Sequence, residues 1–431
     1  MPIREPSRAF AAIVVLIGVG AVAPDAARGA ERALSLDQAI ALSLSAPAVL
    51  AAREAVNQAR AEQTTASLLP NPGLGVELSM LPLSRPYSVE EPGGPPELAA
   101  ELRYQVDGLL FGKRSAAMAS ARAGVRTAEA EFQDTLRQRT AQTSTTFHDV
   151  LEAQALLQAA SQARSDLEQT EAAIGKAVAN GGRPQVELSR VRLELQAAKR
   201  EERGARAALG SAQASLQALL GLVEPVRLVG TLDGPLLVKP LGLDSAFEVA
   251  AENRPDLAAL RHKLSKAHED RVAEGRKAWP ETVVGLGVSH QFQHAVGAPD
   301  VTAYGVSLEM GLPLFDRNQG ERAKAAATAR QADHELTDAL SRIRAEVEQA
   351  AQALDAARED AAEMTRTDLD LASQVRDSFR KAYESGGRPL LEMLDAQRSY
   401  HETYRAYVST RAEYWRAVAR YEAALGKKVS P

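Results

Sequence analysis

Gly-Gly-Arg-Pro occurs twice in this chain, at residues 181–184 and 386–389, and each copy interrupts an alanine- and charge-rich stretch that otherwise reads as helix. Glycine supplies the left-handed conformation that ends a helix, and proline is preset for the first position of the next. Each tetrapeptide therefore predicts a hairpin tip. The stretches leading into the tips, 113–180 and 319–385, contain no proline and predict unbroken descending helices. At 1.5 Å per residue, ~68 helical residues reach roughly 100 Å. The returning patterns, 184–220 and 389–425, cover only about half that length. An initial helix in each half, 36–67 and 243–277, broken near Pro47 and Pro255, makes up the remainder.

The rest of the chain is duplicated along with the tips. LSLDQAIALSLSAPAVLAAR from Leu34 parallels LGLDSAFEVAAENRPDLAALR from Leu241, and LLPNPGLGVELSM from Leu68 parallels AWPETVVGLGVSH from Ala278. LLFGKRSAAMASARA from Leu109 parallels LPLFDRNQGERAKAAA from Leu312. The first repeat is read as 30–221 and the second as 243–431, joined by a Pro/Gly-rich connector at 222–242.

Four segments alternate apolar and polar residues. In 73–80 the apolar row is Leu74, Val76, Leu78 and Met80; in 98–107 it includes Leu102, Tyr104 and Val106. In 283–292 it is Val284, Leu286, Val288 and Phe292, with His290 breaking the row; in 302–312 it runs from Tyr304 to Leu312. Such alternation marks strands with one apolar face. Segments of this length are what a transmembrane barrel uses, with apolar side chains outward. A soluble sheet packed on one face gives the same pattern. Against it stand the water-suited loops from Leu81 and from Gln293, and the aromatics Tyr104, Tyr304, Phe292 and Trp279, suited to an interface. Four strands cannot close a barrel, and sheet edges cannot lie in lipid. Three chains sharing twelve strands, their helices forming a tube wall, are therefore expected.

Residues 1–29 read as a signal peptide. Arg4 and Arg8 precede an apolar run at 10–23, and Ala27-Arg28-Gly29 is a small-x-small cleavage site. No other segment approaches the ~20 apolar residues of a spanning helix. Only 4% of residues are aromatic, which suits long helices packed through small side chains. The net charge of −5 gives no basis for a nucleic-acid surface, and the absence of cysteine removes disulfides and thiolate sites.

No nucleophile elbow, phosphate loop or dinucleotide fingerprint occurs, so no enzyme or cofactor is expected. His290 and His294 form an HxxxH that starts in a strand and enters a loop, where the side chains need not converge; an incidental surface pair is expected. His148, His262, His268, His334 and His401 are scattered through helical segments and form no zinc constellation.

Over essentially the whole mature chain, the order and spacing of these elements resemble the TolC-like outer-membrane efflux proteins. LPNP at 69–72 and LPLFDRNQG at 312–320 resemble the outer-membrane components of cobalt–zinc–cadmium and copper-type RND efflux systems. The resemblance implies a mainly α fold with a small β part: a homotrimer whose 12-stranded β-barrel sits in outer-membrane lipid and continues as a long periplasmic α-helical barrel. It implies a heavy-metal exit duct in a Gram-negative envelope, partnered by a periplasmic adaptor protein and an inner-membrane RND pump. Drug efflux or type I protein secretion, or a soluble periplasmic scaffold or adaptor, are the alternatives.

By the same resemblance, Gly181, Gly182, Arg183 and Pro184, with Gly386, Gly387, Arg388 and Pro389, meet the adaptor. Tyr383, Arg388 and Glu187, a Glu where Asp is common, match positions that hold the entrance closed. Glu392 and Asp395 match constriction carboxylates. Read from the residues alone, Glu392 and Asp395 share a helix face. Threefold symmetry would set six carboxylates around the mouth, attracting cations, whereas a solvated face is the plain alternative. An exposed Glu187–Arg388 ion pair would contribute only ~0.2–1 kcal/mol, which suits a gate that must open.

Overall fold

The computed structural model describes residues 32–429 apart from 92 and 225; the expected signal peptide lies outside the described residues. Each half runs through a helix pair, two strands, a long helix and a returning helix. The first half comprises β1 (Arg32–Leu34), α1 (Leu36–Leu44), α2 (Pro47–Ser67), β2 (Gly73–Ser79), β3 (Glu97–Gln105), the single turn α3 (Asp107–Leu110), α4 (Lys113–Ala179) and α5 (Gln185–Leu220). After β4 (Val226–Leu228) the second half comprises α6 (Leu243–Asn253), α7 (Pro255–Lys277), β5 (Thr282–Gln291), β6 (Val301–Met310), α8 (Gln319–Glu363), α9 (Arg366–Glu384) and α10 (Leu390–Leu425). The fold is mainly helical with a small sheet.

Local chemistry sets the helix ends. Ser35 opens α1 with a capping box, its side chain and that of Gln38 each satisfying the other's backbone N–H. Proline occupies the first turn of α2 and of α7, where its missing N–H costs nothing. Helix α4 is 67 residues long and collects the neighbours α2, α5, α7 and α10 along its length. The core is therefore strung out along a rod. Towards the strands a cluster of three buried alanines, Ala267, Ala329 and Ala332, with Leu264 packed against it, lets the helices approach closely. Further along, Leu257, Val347, Leu354, Tyr414 and Tyr421 form one cluster, and Phe147, Val150, Leu216 and Val408 another. Each large side chain so buried contributes ~1.5–3 kcal/mol.

The second descending helix is not continuous, against expectation. It stops at Glu363 and restarts at Arg366. Thr365 adopts extended backbone, its hydroxyl accepts from the Asp368 amide, and the Asp368 carboxylate accepts from the Thr365 amide at 2.8 Å. A capping box thus starts a new helix where neither proline nor glycine marks the place.

The connector is also more than a linker. Its β4 pairs in parallel with β1, and the segment beyond is stitched to α10 by three tyrosines at seven-residue spacing. Tyr407 donates to Asp233 at 2.7 Å, Tyr414 accepts from the Val238 amide at 3.0 Å, and Tyr421 accepts from the Leu241 amide at 2.9 Å. Asp233 also pairs with Arg366 at the start of α9. A Cβ at Gly234 would lie 2.5 Å from the Trp415 ring, so only glycine lets the strap lie this close.

The four remaining strands form one antiparallel sheet in the order β2-β3-β5-β6, with β3 and β5 joining the two repeats. Among the described residues β2 and β6 are edges, each with its outer side unpaired. The apolar row is uncovered: Leu74 is 73% exposed, Val306 79% and Tyr304 87%. Among the described residues no buried apolar cluster includes a residue of this sheet. A sheet packed on a soluble core would have hidden one row, so the one-sided soluble sheet does not describe this chain. The other row is small and polar. Glu101 pairs with Arg103 at 2.7 Å and accepts from Ser307 at 2.5 Å, across Gly285 and Gly287. At the helical end, Trp279 stacks on Phe111 at 5.2 Å, and Phe315 is 91% exposed. Among the described residues no single helix is long and apolar enough to cross a membrane.

Candidate gate at the hairpin tips

Both tips close in the same way. Gly181 and Gly386 take left-handed backbone, with φ of 72° and 78°. The amide of Gly182 reaches back to the carbonyl of Ala177, and that of Gly387 to Ala382, each at 2.8 Å. These are Schellman closures, which satisfy the last carbonyls of the descending helix. Pro184 and Pro389 lie one position earlier than expected: they are extended N-cap residues rather than the first helical ones. The fixed φ of proline suits that position too.

The environments of the two tips differ. Tyr383, in the last turn of α9, is 7% exposed and lies in a cluster with Ile174, Leu188, Val191, Leu390, Met393 and Leu394. Its hydroxyl donates to Glu187 at 3.0 Å. Burial, and then the acceptor and charge of Glu187, push the phenol up to about 12. The Arg183 guanidinium lies 4.5 Å from the Tyr383 ring centroid and donates to the Tyr383 carbonyl at 3.2 Å. Glu187 is 3.9 Å from Arg183. Tip one thus grips tip two through a single buried aromatic.

The expected Glu187–Arg388 ion pair does not form. Arg388 turns back onto its own helix and pairs with Glu392 at 2.8 Å, over the Phe379 ring. The arginine beside Glu187 is Arg183, because α5 starts directly after the first tip and presents both residues to Tyr383. The sequence concealed this, since both arginines sit in identical tetrapeptides. The structure brings Glu187 and Tyr383 together and leaves Arg388 out. Glu392 and Asp395 stand on the first turns of α10, with Asp395 3.6 Å from Arg398, so each carboxylate has an arginine beside it within the chain.

Elsewhere, His290 and His294 do converge. Both approach Asp300, His294 Nδ1 at 2.8 Å and His290 Nε2 at 3.9 Å. The hydrogen bond to Asp300, followed by its charge, raises the His294 pKa. Among the described residues no group of three or more His, Cys, Asp or Glu side chains is arranged so that it could hold a metal ion. His148 is buried between helices, donates to the Ser144 carbonyl at 2.7 Å and stacks on Trp415.

Against known proteins, residues 246–427 match the family described as outer membrane efflux protein. Over 320 residues, 74% of this chain and 75% of the relative, the sequence is 26% identical to the cobalt-zinc-cadmium resistance protein CzcC of Cupriavidus metallidurans. Among solved structures, CusC superposes with a TM-score of 0.73 at 19% identity, covering 91% of this chain and 92% of CusC. The outer membrane protein VceC of Vibrio cholerae gives 0.70 at 18% identity, covering 92% and 97%. The outer-membrane channel OprN gives 0.72 at 17% identity, covering 91% and 89%.

Proposed function

We propose that this chain belongs with the TolC-like outer membrane efflux proteins, which are channels and not enzymes, and is the exit duct of a tripartite efflux system, exporting heavy-metal cations. The observation that carries the reading is the four-stranded sheet with an uncovered apolar row and two unpartnered edges. In water such a sheet would aggregate, and in lipid its edges must be closed. Three copies close them, β6 of one against β2 of the next, into twelve strands whose small, polar row lines the lumen. Strands of 7–10 residues suit a tilted crossing of the hydrocarbon layer. The helices continue the tube into the periplasm, where the tips meet an adaptor protein and, through it, an inner-membrane RND pump. The metal cargo is supported by the likeness to a cobalt-zinc-cadmium resistance protein.

In this reading the tips are the gate. Within each chain Tyr383 and Glu187, with Arg183, hold the two hairpins together, and Arg388 faces outward with Glu392. Glu392 and Asp395 from three copies ring the mouth with six carboxylates. The glycines, Arg183, Arg388 and the two prolines form the surface presented to the adaptor. The protein is expected to resist carbonate extraction from envelopes and to run as a trimer in mild detergent; a protein that washes off as a monomer would refute the channel. Cobalt, zinc and cadmium sensitivity of a deletion strain, with drug sensitivity unchanged, checks the cargo. Single-channel recordings check the gate: Tyr383→Phe with Arg183→Ser should raise conductance, and unchanged conductance would count against it.

A further inference from the structure

The duplication allows one contact between subunits to be read from a contact inside the chain. Between the hairpins, α10 lies against α4 and α5, leaving a void of about 220 Å³ lined by Leu167, Glu194 and Ala198 on one side and by Leu394, Arg398, His401 and Arg405 on the other. Two ion pairs cross it, Glu194–Arg398 at 3.2 Å and Glu201–Arg405 at 2.6 Å. The shift that carries Gly181 onto Gly386 is 205 residues (386 − 181). Applied to the first wall, it turns Leu167, Glu194 and Ala198 into Ala372, Ser399 and Thr403. Those three residues line an open groove of about 630 Å³ on α9 and α10, beside the exposed Leu371 and Val375. Applied in reverse to the second wall, it turns Leu394, Arg398, His401 and Arg405 into Ser189, Leu193, Gln196 and Arg200. All four are exposed on one face of α5, with Leu193 72% exposed.

One wall is thus a groove without an occupant, and the other is a helix face without a seat. We propose that this groove receives α5 of a second copy of the chain, Leu193 entering beside Ala372 and Ser399 and Arg200 lying beside Asp368. The proposal rests on the trimeric reading above and adds the register. Charge agrees with it. The groove carries Asp360, Glu363 and Asp368, while the α5 face carries Arg200 and, one turn on, Arg203. In-chain Ala163, which borders the first void, corresponds to Asp368 (163 + 205). The Glu201–Arg405 rung is therefore retained between subunits with its acid moved, on the same wall, from the returning helix (Ala406, 201 + 205) to the descending one (Asp368). The Glu194–Arg398 rung becomes an apolar contact of Leu193 over Ser399.

The chain has no cysteine, so paired cysteines report without background. Leu193→Cys with Ser399→Cys touches no core. On oxidation of the detergent-purified protein it should give covalent dimers and trimers on non-reducing denaturing gels, reversed by reductant. Glu194→Cys with Arg398→Cys, the in-chain equivalent, should run as monomer. A particle that is trimeric by light scattering yet shows only monomer for the 193/399 pair overturns the register and leaves the trimer standing. A monomeric particle overturns both. Leu193→Asp gives a second readout without cysteine chemistry: the trimer should fall apart in detergent, and an intact trimer contradicts the proposal.

Discussion

The two hairpin tips share four residues, the same left-handed glycine and the same backbone closure, yet they do different work. At the first, Arg183 is mostly covered, stacked on Tyr383. At the second, Arg388 is 55% exposed, paired with Glu392 on the helix that follows and lying over Phe379 of the helix before, so it is tied only within its own hairpin. The position equivalent to Tyr383 in the first repeat is Val178 (383 − 205), which has no hydroxyl and no ring to grip. A repeated motif therefore fixes the turn, whereas the residue across from it decides whether the turn is held. In the proposed trimer the mouth would then have only threefold symmetry, although its six tips share one backbone closure.

The difference is sharpest at Tyr383. Tyr383→Ala should remove ~3–5 kcal/mol of local packing, as for other buried aromatics. Hydrogen exchange should then rise across residues 174–191 and 383–394, and single-channel conductance should increase. Val178→Ala should do little by either measure. Equal effects would break the comparison.

Alkali probes the same contact without mutation. The Tyr383 phenol titrates near 12 instead of the ordinary 10.0, so the neutral hydroxyl bound to Glu187 is favoured by the fold. A group whose folded pKa is raised contributes stability in full below its unfolded value and loses it as pH rises through the folded one. The contact should therefore hold at neutral pH and fail between about pH 10 and 12. The tyrosinate absorbance difference between wild type and Tyr383→Phe measures it, and a midpoint near 10 would contradict the buried geometry.

A smaller effect should be the same at both tips. Gly181→Ala and Gly386→Ala each force a side chain into left-handed backbone, at ~1–2 kcal/mol. Nothing lies within 4 Å of the added Cβ at either position, so thermal melts should shift equally. An unequal shift would mean that the closures themselves differ. The smallest contrast is between the arginines. Arg388→Ala removes an exposed pair one helical turn apart, about 0.3–0.5 kcal/mol, whereas Arg183→Ala removes a stacking contact of ~0.5–1 kcal/mol or more. Hydrogen exchange at the Tyr383 amide should respond to the second only.

Much of the architecture was legible because its signals are periodic. Alternation marked the strands, and the absence of proline over 113–180 marked α4. The break at Met364–Thr365 was not legible by the same rule, since proline and glycine are not the only terminators. The Thr365-x-x-Asp368 box was its sole trace, and such boxes also occur by chance on charged helices. β1 and β4, three residues each, are too short to show a period. At the site, the resemblance placed Glu187 and Tyr383 at one entrance but paired Glu187 with Arg388; the Tyr383–Glu187 hydrogen bond came from the structure. The choice between Arg183 and Arg388 could not be made from the sequence, because only the packing of α5 against α9 separates two residues with the same neighbours in sequence.

The tyrosine stitching of the connector has a mechanical consequence. Three anchors set seven residues apart on one helix, about 10.5 Å per step, fasten the belt like rivets on a hoop. A load that splays the hairpins of one chain would be borne at this strap as shear across the three anchors. In the proposed tube, the hairpins of one chain would splay beyond Tyr407 without unseating the strap from α10.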